Sequence, residues 1–344
     1  MSTLTFDGSR RAKTILMGHG SGGQLMRNLI DQIVLPRLMP AAGVLNDAAV
    51  WDQAAGRLAL TTDTFVVDPP FFPGGNIGSL AVHGTVNDLA VSGARPLRMS
   101  VGLILEEGFA MADLERILDS MREAADAAGV PIVTGDTKVV GRGQCDGIFI
   151  NTTGVGVIEF GSDISADRAR PGDRILINAP IAIHGVAVMA AREELRFARE
   201  ILSDSASLYP LTHAMLETAP EIACLRDATR GGIASVLNEI AESSKVGIRI
   251  DESRLPIADE VRGACELLGI DPLYVANEGV LVAVVPPDRA EAILAAMRSV
   301  NTGRLAVDIG EVIDDHPGRV TMRTGVGGFR VVDTLVGELL PRIC

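Results

Sequence analysis

Thr61-Thr62-Asp63-Thr64-Phe65-Val66-Val67-Asp68-Pro69-Pro70-Phe71-Phe72-Pro73-Gly74-Gly75 is the stretch from which the organisation of this chain can be read. Residues 57 to 68 have the β-branched and aromatic character of a strand, and the Pro- and Gly-rich loop from Pro69 to Gly75 ends it. Residues 77 to 92 then place Leu80, Ala81, Val86, Leu89 and Ala90 at helical spacing, and Gly93 before Pro96 closes the helix. Strand, loop and buried helix succeed one another, with Asp63 on the strand and Asp88 on the helix.

Outward from this unit the same logic predicts a strand over 97–105, a helix over 111–128 and strands over 131–136 and 147–157. The apolar rhythm lapses over residues 160–173, through Gly161-Ser162-Asp163 and Arg168-Ala169-Arg170-Pro171-Gly172-Asp173, and the domain boundary is expected there. Beyond it the spacing predicts a strand over 174–178, helices over 185–194, 208–219, 232–243 and 259–268, and strands over 247–250 and 279–285. Residues 331–338 precede a terminal run, Glu338-Leu339-Leu340-Pro341-Arg342-Ile343-Cys344.

At 344 residues the chain is long enough for two domains, each with its own core. With 47% apolar and 22% charged residues, long disorder is not expected. The 31 basic against 44 acidic residues give −13, the wrong sign for neutralising nucleic-acid phosphates or anionic lipid. An acidic chain can still hold ATP if its carboxylates bind magnesium and backbone amides face the phosphates. Cys145, Cys224, Cys265 and Cys344 are far apart and form no CxxC, which argues against zinc knuckles and a disulfide framework. The start has no apolar core of signal-peptide length, and the most apolar stretch, 175–191, is broken by Asn178, Pro180 and His184. A cytoplasmic protein is expected.

Several constellations could carry chemistry. His19-Gly20-Ser21-Gly22-Gly23 runs into what reads as a helix start, a place where backbone amides can approach an anion, although such a cluster also serves as a plain turn and lacks the Walker spacing. Asp47, Asp63, Asp88 and Asp136 stand at the ends of apolar elements; singly each reads as a cap or turn residue, together they suit magnesium. Asp227-Ala228-Thr229-Arg230-Gly231-Gly232 is either a helix cap with a flexible entry or a second loop facing a nucleotide. Lys138 and Glu278 lie beside apolar strands, where neighbours shift a pKa toward neutrality, or else they are simply solvated. The five histidines show no zinc spacing. Cys344, tethered on one side only, is a carrier thiol or a chance terminal cysteine.

Taken in order, HGSGG at 19–23, NDAAV at 46–50, TTDTFVVDPPFFPGG at 61–75, GTVNDLAVSGARP at 84–96, VTGDTKV at 133–139, DATRGG at 227–232, VANEG at 275–279 and the closing PRIC resemble the HypE family of hydrogenase maturation proteins. The inner motifs are shared with aminoimidazole ribonucleotide synthetase, selenophosphate synthetase and thiamin-monophosphate kinase, so they speak to fold and ATP use; the terminal Pro-Arg-Ile-Cys singles out HypE. The resemblance implies a PurM-like α+β N-terminal domain, an α/β C-terminal domain and a flexible C-terminal tail, divided as 1–42, 43–162, 163–327 and 328–344. It implies a homodimer through the N-terminal sheet, with ATP and Mg2+ between the domains.

It also implies the activity. A carbamoyltransferase, HypF, loads a carbamoyl group on the terminal thiol, ATP-dependent dehydration makes a thiocyanate, and the cyano group passes to iron on a HypC–HypD scaffold for the [NiFe] hydrogenase. By resemblance Cys344 is the carrier, and Lys138 and Glu278 are candidate bases. His19, Gly20, Ser21, Gly22, Gly23, Asp63, Asp88, Asp136, Thr137, Asp227 and Thr229 face the nucleotide, and Asp47, Asp63, Asp88 and Asp136 hold the metal. Asn46 stands where relatives often carry a second acid. The chemistry is coherent, because an amide oxygen leaves only once it is phosphorylated. Selenophosphate synthetase-like or thiamin-monophosphate kinase-like phosphorylation of a small molecule, or a nucleotide-binding scaffold, are the alternatives.

Overall fold

A computed structural model describes residues 13–21, 24–39, 51–52, 56–195, 197, 199–334 and 342–344. Asp47, Gly22 and Gly23 of the expected site, with Asn46, lie outside the described residues, as do 335–341 of the terminal segment.

Residues 13–21 and 24–38 pack against the first domain. A 3-10 turn at Met17–Gly20 and the short helices α1 (Gln24–Leu29) and α2 (Leu35–Leu38) feed Ile15, Leu29, Ile33 and Leu38 into that domain's core. The domain is built on β1 (Leu58–Phe65), a small hairpin of β2 (Phe71–Phe72) and β3 (Gly75–Asn76), α3 (Ile77–Val91), β4 (Ala94–Glu106), α4 (Met111–Ala128), β5 (Ile132–Val140) and β6 (Ile148–Ile158). Its four-stranded sheet runs β1-β6-β4-β5, so β1 and β5 are the opposite edges.

The period of two along β1 decides which side chains reach the interior: Ala59, Thr61, Asp63 and Phe65 turn inward, while Leu58, Leu60, Thr62 and Thr64 turn out. The inward face is covered by α3, which starts where the Asn76 side chain accepts hydrogen bonds from Gly78 N at 2.8 Å and Ser79 N at 3.4 Å. α3 is apolar all round because the sheet, α4 and the second domain enclose it, the behaviour of a helix at the centre of a protein. The outward face of the sheet carries no layer among the described residues, and Leu60 on it is 72% exposed.

The second domain comprises β7 (Arg174–Ile177), α5 (Ile183–Arg192), α6 (Tyr209–Thr218), β8 (Cys224–Asp227), α7 (Gly232–Ser244), β9 (Gly247–Asp251), α8 (Asp259–Leu268), β10 (Leu281–Val285), α9 (Ala290–Ser299), β11 (Val307–Ile313), β12 (Arg319–Arg323) and β13 (Phe329–Val332). Its seven strands run β13-β12-β9-β11-β7-β10-β8, antiparallel except for β9 with β12. α7 packs on one face through Ile233, Leu237 and Ile240; α6 and α9 pack on the other through Leu211, Met215 and Ile293. The expected helices and strands of this half are present. The elements β8, α9, β11, β12 and β13 were not anticipated from the sequence. No described helix is long and apolar enough to cross a membrane.

Candidate active site

The site grows from the inward side of β1. Asp63 points under the sheet toward α3, where Thr85 Oγ1 donates to its Oδ2 at 3.3 Å and Asp88, one helical turn further on, hydrogen-bonds it. Thr61 Oγ1 donates to Asp88 Oδ2 at 2.6 Å, so the two carboxyls of the first domain are held by two flanking threonines. Burial, then the charge of Asp88, raises the Asp63 pKa to about 6.

The second domain brings three more carboxyls to the same place. Asp227 ends β8, and burial together with the charges of Asp88 and Asp63 raises it to about 7. Asp204, in the Ser203–Ser207 loop, accepts from the backbone N–H groups of Glu278 and Gly279 at 3.2 Å each, yet burial still lifts it to about 6. Glu278 is 3% exposed and is raised well above the usual carboxylate range by burial and then by Asp227, Asp204, Asp63 and Asp88; its Oε1 has no hydrogen-bond partner among the described residues. Arg230 counters the cluster by drawing the Asp63 pKa down. The loop that delivers it needs its glycines: Gly231 and Gly232 have φ of 74° and 60°, and a Cβ on Gly232 would stand 2.7 Å from the Val275 carbonyl.

One amide stitches the two halves. Asn87, 1% exposed on α3, donates to the carbonyls of Ala206 at 3.0 Å and Glu278 at 3.2 Å and accepts from Leu208 N at 2.7 Å. His83, one turn earlier, meets Ser205 Oγ at 2.9 Å, and burial keeps the ring neutral with a pKa of about 4.

The chain's last three residues are docked at this seam. Val66 N donates to the Cys344 carbonyl and Asp68 N to the Arg342 carbonyl, both at 3.2 Å, so the tip adds to the extension of β1 as an antiparallel strand would. Ile343 is 3% exposed and shares a core with Val188 and Ala276, a burial that contributes roughly 1.5–3 kcal/mol. His184 is neutral, its pKa lowered to about 4 by burial; its Nε2–H donates to the Ile343 carbonyl at 3.0 Å while Nδ1 accepts from Ser203 Oγ at 2.8 Å. The backbone of His184 in turn donates to Asp204. The Cys344 thiol is half-buried against the first domain's core.

Of the residues singled out in the sequence, the structure gathers Asp63, Asp88, Asp227 and Glu278. Asp136 and Lys138 stand elsewhere within the chain. On β5 the inward residue is Thr137, 3% exposed, so its two neighbours point to the open face, where they pair with each other at 3.7 Å. The sheet separates them from the carboxylates. Thr137 N lies 2.8 Å from Asp136 Oδ1, to which it donates, a contact between neighbours within the strand.

The described part of the glycine loop lies at that same far edge. Gly20 packs so closely on β5 that a Cβ would be 2.7 Å from Val139 N. His19 is buried, its Nδ1 accepting from Leu16 N at 2.9 Å, and Ser21 Oγ donates to Gly18 O at 3.0 Å; both close the turn. Thr229 shapes the entry to α7, its carbonyl accepting from Gly232 N at 2.9 Å. Among the described residues no three acidic, His or Cys side chains lie close enough to hold a metal unaided. The sequence reading missed Asp204, Asn87, His83 and His184. Asp204 sits in a serine run that reads only as loop, and the others lie within apolar helices.

The comparisons agree with this architecture. Models of the AIR synthase related protein match the chain twice, the N-terminal domain over residues 45–158 and the C-terminal domain over 170–323. Two such domains with acidic residues meeting between them define an AIR synthase related protein. Carbamoyl dehydratase HypE of Azotobacter vinelandii is 53% identical over 335 residues, covering 97% of this chain and 98% of that protein. A crystal structure of the hydrogenase maturation protein HypE in complex with ATP superposes with a TM-score of 0.93 at 49% identity, covering 96% of this chain and all of that one. HypE from a HypE–HypF complex gives 0.79 at 47% identity over 91% of this chain and 100% of that one. The chain belongs to the HypE family of carbamoyl dehydratases.

Proposed function

We propose that this chain dehydrates a carbamoyl group carried on the Cys344 thiol, with ATP as the driving reactant. The observation that carries the reading is the position of the terminal residues, docked at the domain seam and joined through His184 and Asp204 to Glu278 and its neighbouring carboxyls. The similar HypE structure that contains ATP supports the nucleotide.

The reaction balances as S–C(=O)–NH2 + ATP → S–C≡N + ADP + phosphate. The carbamoyl oxygen attacks the γ-phosphorus, ADP leaves, the C–O bond then breaks with phosphate as leaving group, and two N–H protons are lost. The residues fit magnesium: the donors are hard carboxylate oxygens that repel one another, and the unpaired Glu278 Oε1 calls for positive charge. Magnesium, when bound, would spread phosphate charge. The adjoining pair Asp63 and Asp88 would hold it together with nucleotide phosphate oxygens, with Asp227 across the seam and Asp47 as further candidates. Arg230 supplies a fixed cation at the mouth.

Tail docking by Val66, Asp68 and His184 presents the thiol and lowers the entropy cost of the encounter. Glu278 is protonated while its neighbours are uncompensated anions; with positive charge in the cluster it becomes an unusually strong carboxylate base for the carbamoyl N–H.

The open sheet face, with Leu58, Leu60 and Ile104 exposed on it, supports a homodimer closed through this surface. Such a pairing would let Asp136 and Lys138 serve a neighbouring copy, since their own sheet bars them from the carboxylates of the same chain, while Thr137 faces inward. The partners that suit the chemistry are HypF as carbamoyl donor, in line with the similar HypE found in a HypE–HypF complex, and a HypC–HypD scaffold as cyanide acceptor for the iron of [NiFe] hydrogenase, all cytoplasmic. The test is ADP release. Protein loaded with carbamoyl on Cys344 should release one equivalent per thiol, and protein lacking the group should release only background; equal release from both would refute the reading.

A further inference from the structure

α5 carries His184, Val188 and Arg192 four residues apart, and residues at that spacing line up along one side of a helix. All three meet the chain's end. His184 Nε2 donates to the Ile343 carbonyl at 3.0 Å, Val188 shares the core that encloses Ile343, and Arg192 Nη2 donates to the Arg342 carbonyl at 2.8 Å. Arg192 also donates from Nε and Nη2 to the Asp68 carbonyl at 2.9 and 2.6 Å, so one guanidinium spans the loop after β1 and the tail. The opposite wall is Val66 and Asp68, whose backbones pair with Cys344 and Arg342. Arg342 closes the outer end through Asp146 at 2.9 Å, Asp68 at 3.7 Å and the Val66 carbonyl.

We infer that this helix side and the 66–68 segment form a receptor for the terminal Arg-Ile-Cys, and that Arg192 is the positioning residue that sets how much of the time Cys344 occupies it. The inference rests on the carrier reading of Cys344 and adds the residue that governs its placement. The contacts divide by depth. Ile343 and His184 are buried and make the seat; Arg192 and Arg342 are the outer, half-buried groups, Arg192 donating to backbone carbonyls and Arg342 pairing with the partly exposed Asp146 and Asp68 carboxylates, contacts that water can also satisfy. The seat reads main chain and one apolar side chain, as a groove that accepts an added strand does. The outer pair is therefore where the docked tip can let go without unfolding α5.

Cys145, Cys224 and Cys265 are 9%, 0% and 1% exposed, so the alkylation of Cys344 can be followed by mass spectrometry of the terminal peptide against buried internal controls. With iodoacetamide and no nucleotide, Arg192→Ala should raise the Cys344 alkylation rate about tenfold, the size of shift that loss of a charge-assisted hydrogen bond produces, with the internal thiols unchanged. Arg192→Lys should fall between it and the parent protein. In turnover Arg192→Ala should lower kcat for dehydration while leaving the KM for ATP unaltered. Should Arg192→Ala disturb the fold, Ile343→Asp perturbs only the tip and must give the same exposure of the thiol. An alkylation rate equal to the parent's in both variants overturns the inference and leaves the dehydration chemistry untouched. Faster alkylation with no nitrile formed in the parent protein would instead sink the carrier reading alone.

Discussion

Asp63 on β1 and Asp88 on α3 are hydrogen-bonded carboxyls, steadied by Thr85 and Thr61, and each faces the second domain's Asp227 across the seam. Like charges so placed favour retention of protons, and the consequence is a dependence on pH. Asp63 and Asp204 are raised to about 6 and Asp227 to about 7, all from 3.8. A raised folded-state pKa contributes stability that is full below about pH 4 and is lost as pH climbs through 6 to 7. The lowered carboxyls Glu106, Asp251 and Glu311 titrate beneath that window. The buried histidines His83 and His184, held to about 4, act in the opposite sense up to pH 6.5, so without divalent cation the thermal midpoint should fall between pH 6.5 and 8, and millimolar magnesium should raise it more at pH 8 than at pH 5. A magnesium effect independent of pH, in melts recorded across this range, would remove these carboxyls from the metal site.

Glu278→Gln separates folding from chemistry. The native side chain is neutral in its buried setting, so an amide of the same shape should leave the melting temperature unchanged or slightly higher. Removal of a general base should slow nitrile formation about 100-fold or more. Single-turnover kinetics on the preloaded thiol give the comparison; unaltered rates would assign the base elsewhere.

Asn87→Ala removes the amide that joins α3 to Ala206, Leu208 and Glu278. Orphaning buried partners of this kind costs about 3 kcal/mol, to be read from urea unfolding. The loss should be accompanied by weaker ATP binding, because the same amide fixes the backbone of Glu278 against the first domain.

Leu60→Arg places charge on the open sheet face, on the edge strand β1, where the native leucine is 72% exposed in the single chain. Sedimentation equilibrium should show the parent as a dimer and the variant as a monomer with its fold intact. A parent monomer would show that this face has another use.

Much of the fold was legible because period and punctuation agreed: the buried helix at 77–91 and the helix at 111–128 lie where apolar spacing and Gly93 put them, while the first strand, expected over 57–68, ends at Phe65. β8 has four residues, two of them charged, too few to show a period. β11 is interrupted by a register shift between Asp308 and Gly310 that destroys its alternation. The site was legible in kind and not in grouping. Asp63 and Asp136 both end apolar strands in the sequence, and only the register of β1-β6-β4-β5 shows that one points in and the other out. Asp204 had no signal at all, since what makes it matter is the pair of backbone amides brought to it from residues 278 and 279.

The terminal thiol as carrier is tested most directly by mass spectrometry of the C-terminal peptide, after incubation of the full chain with a carbamoyl-loading system and then with ATP and magnesium. The stoichiometry of carrier-thiol carbamoylation and dehydration predicts a gain of about 43 Da on Cys344, then a loss of about 18 Da that requires ATP. A carbamoyl adduct that persists unchanged in ATP, or ATP-dependent turnover that leaves the Cys344 peptide at its original mass throughout, would contradict it.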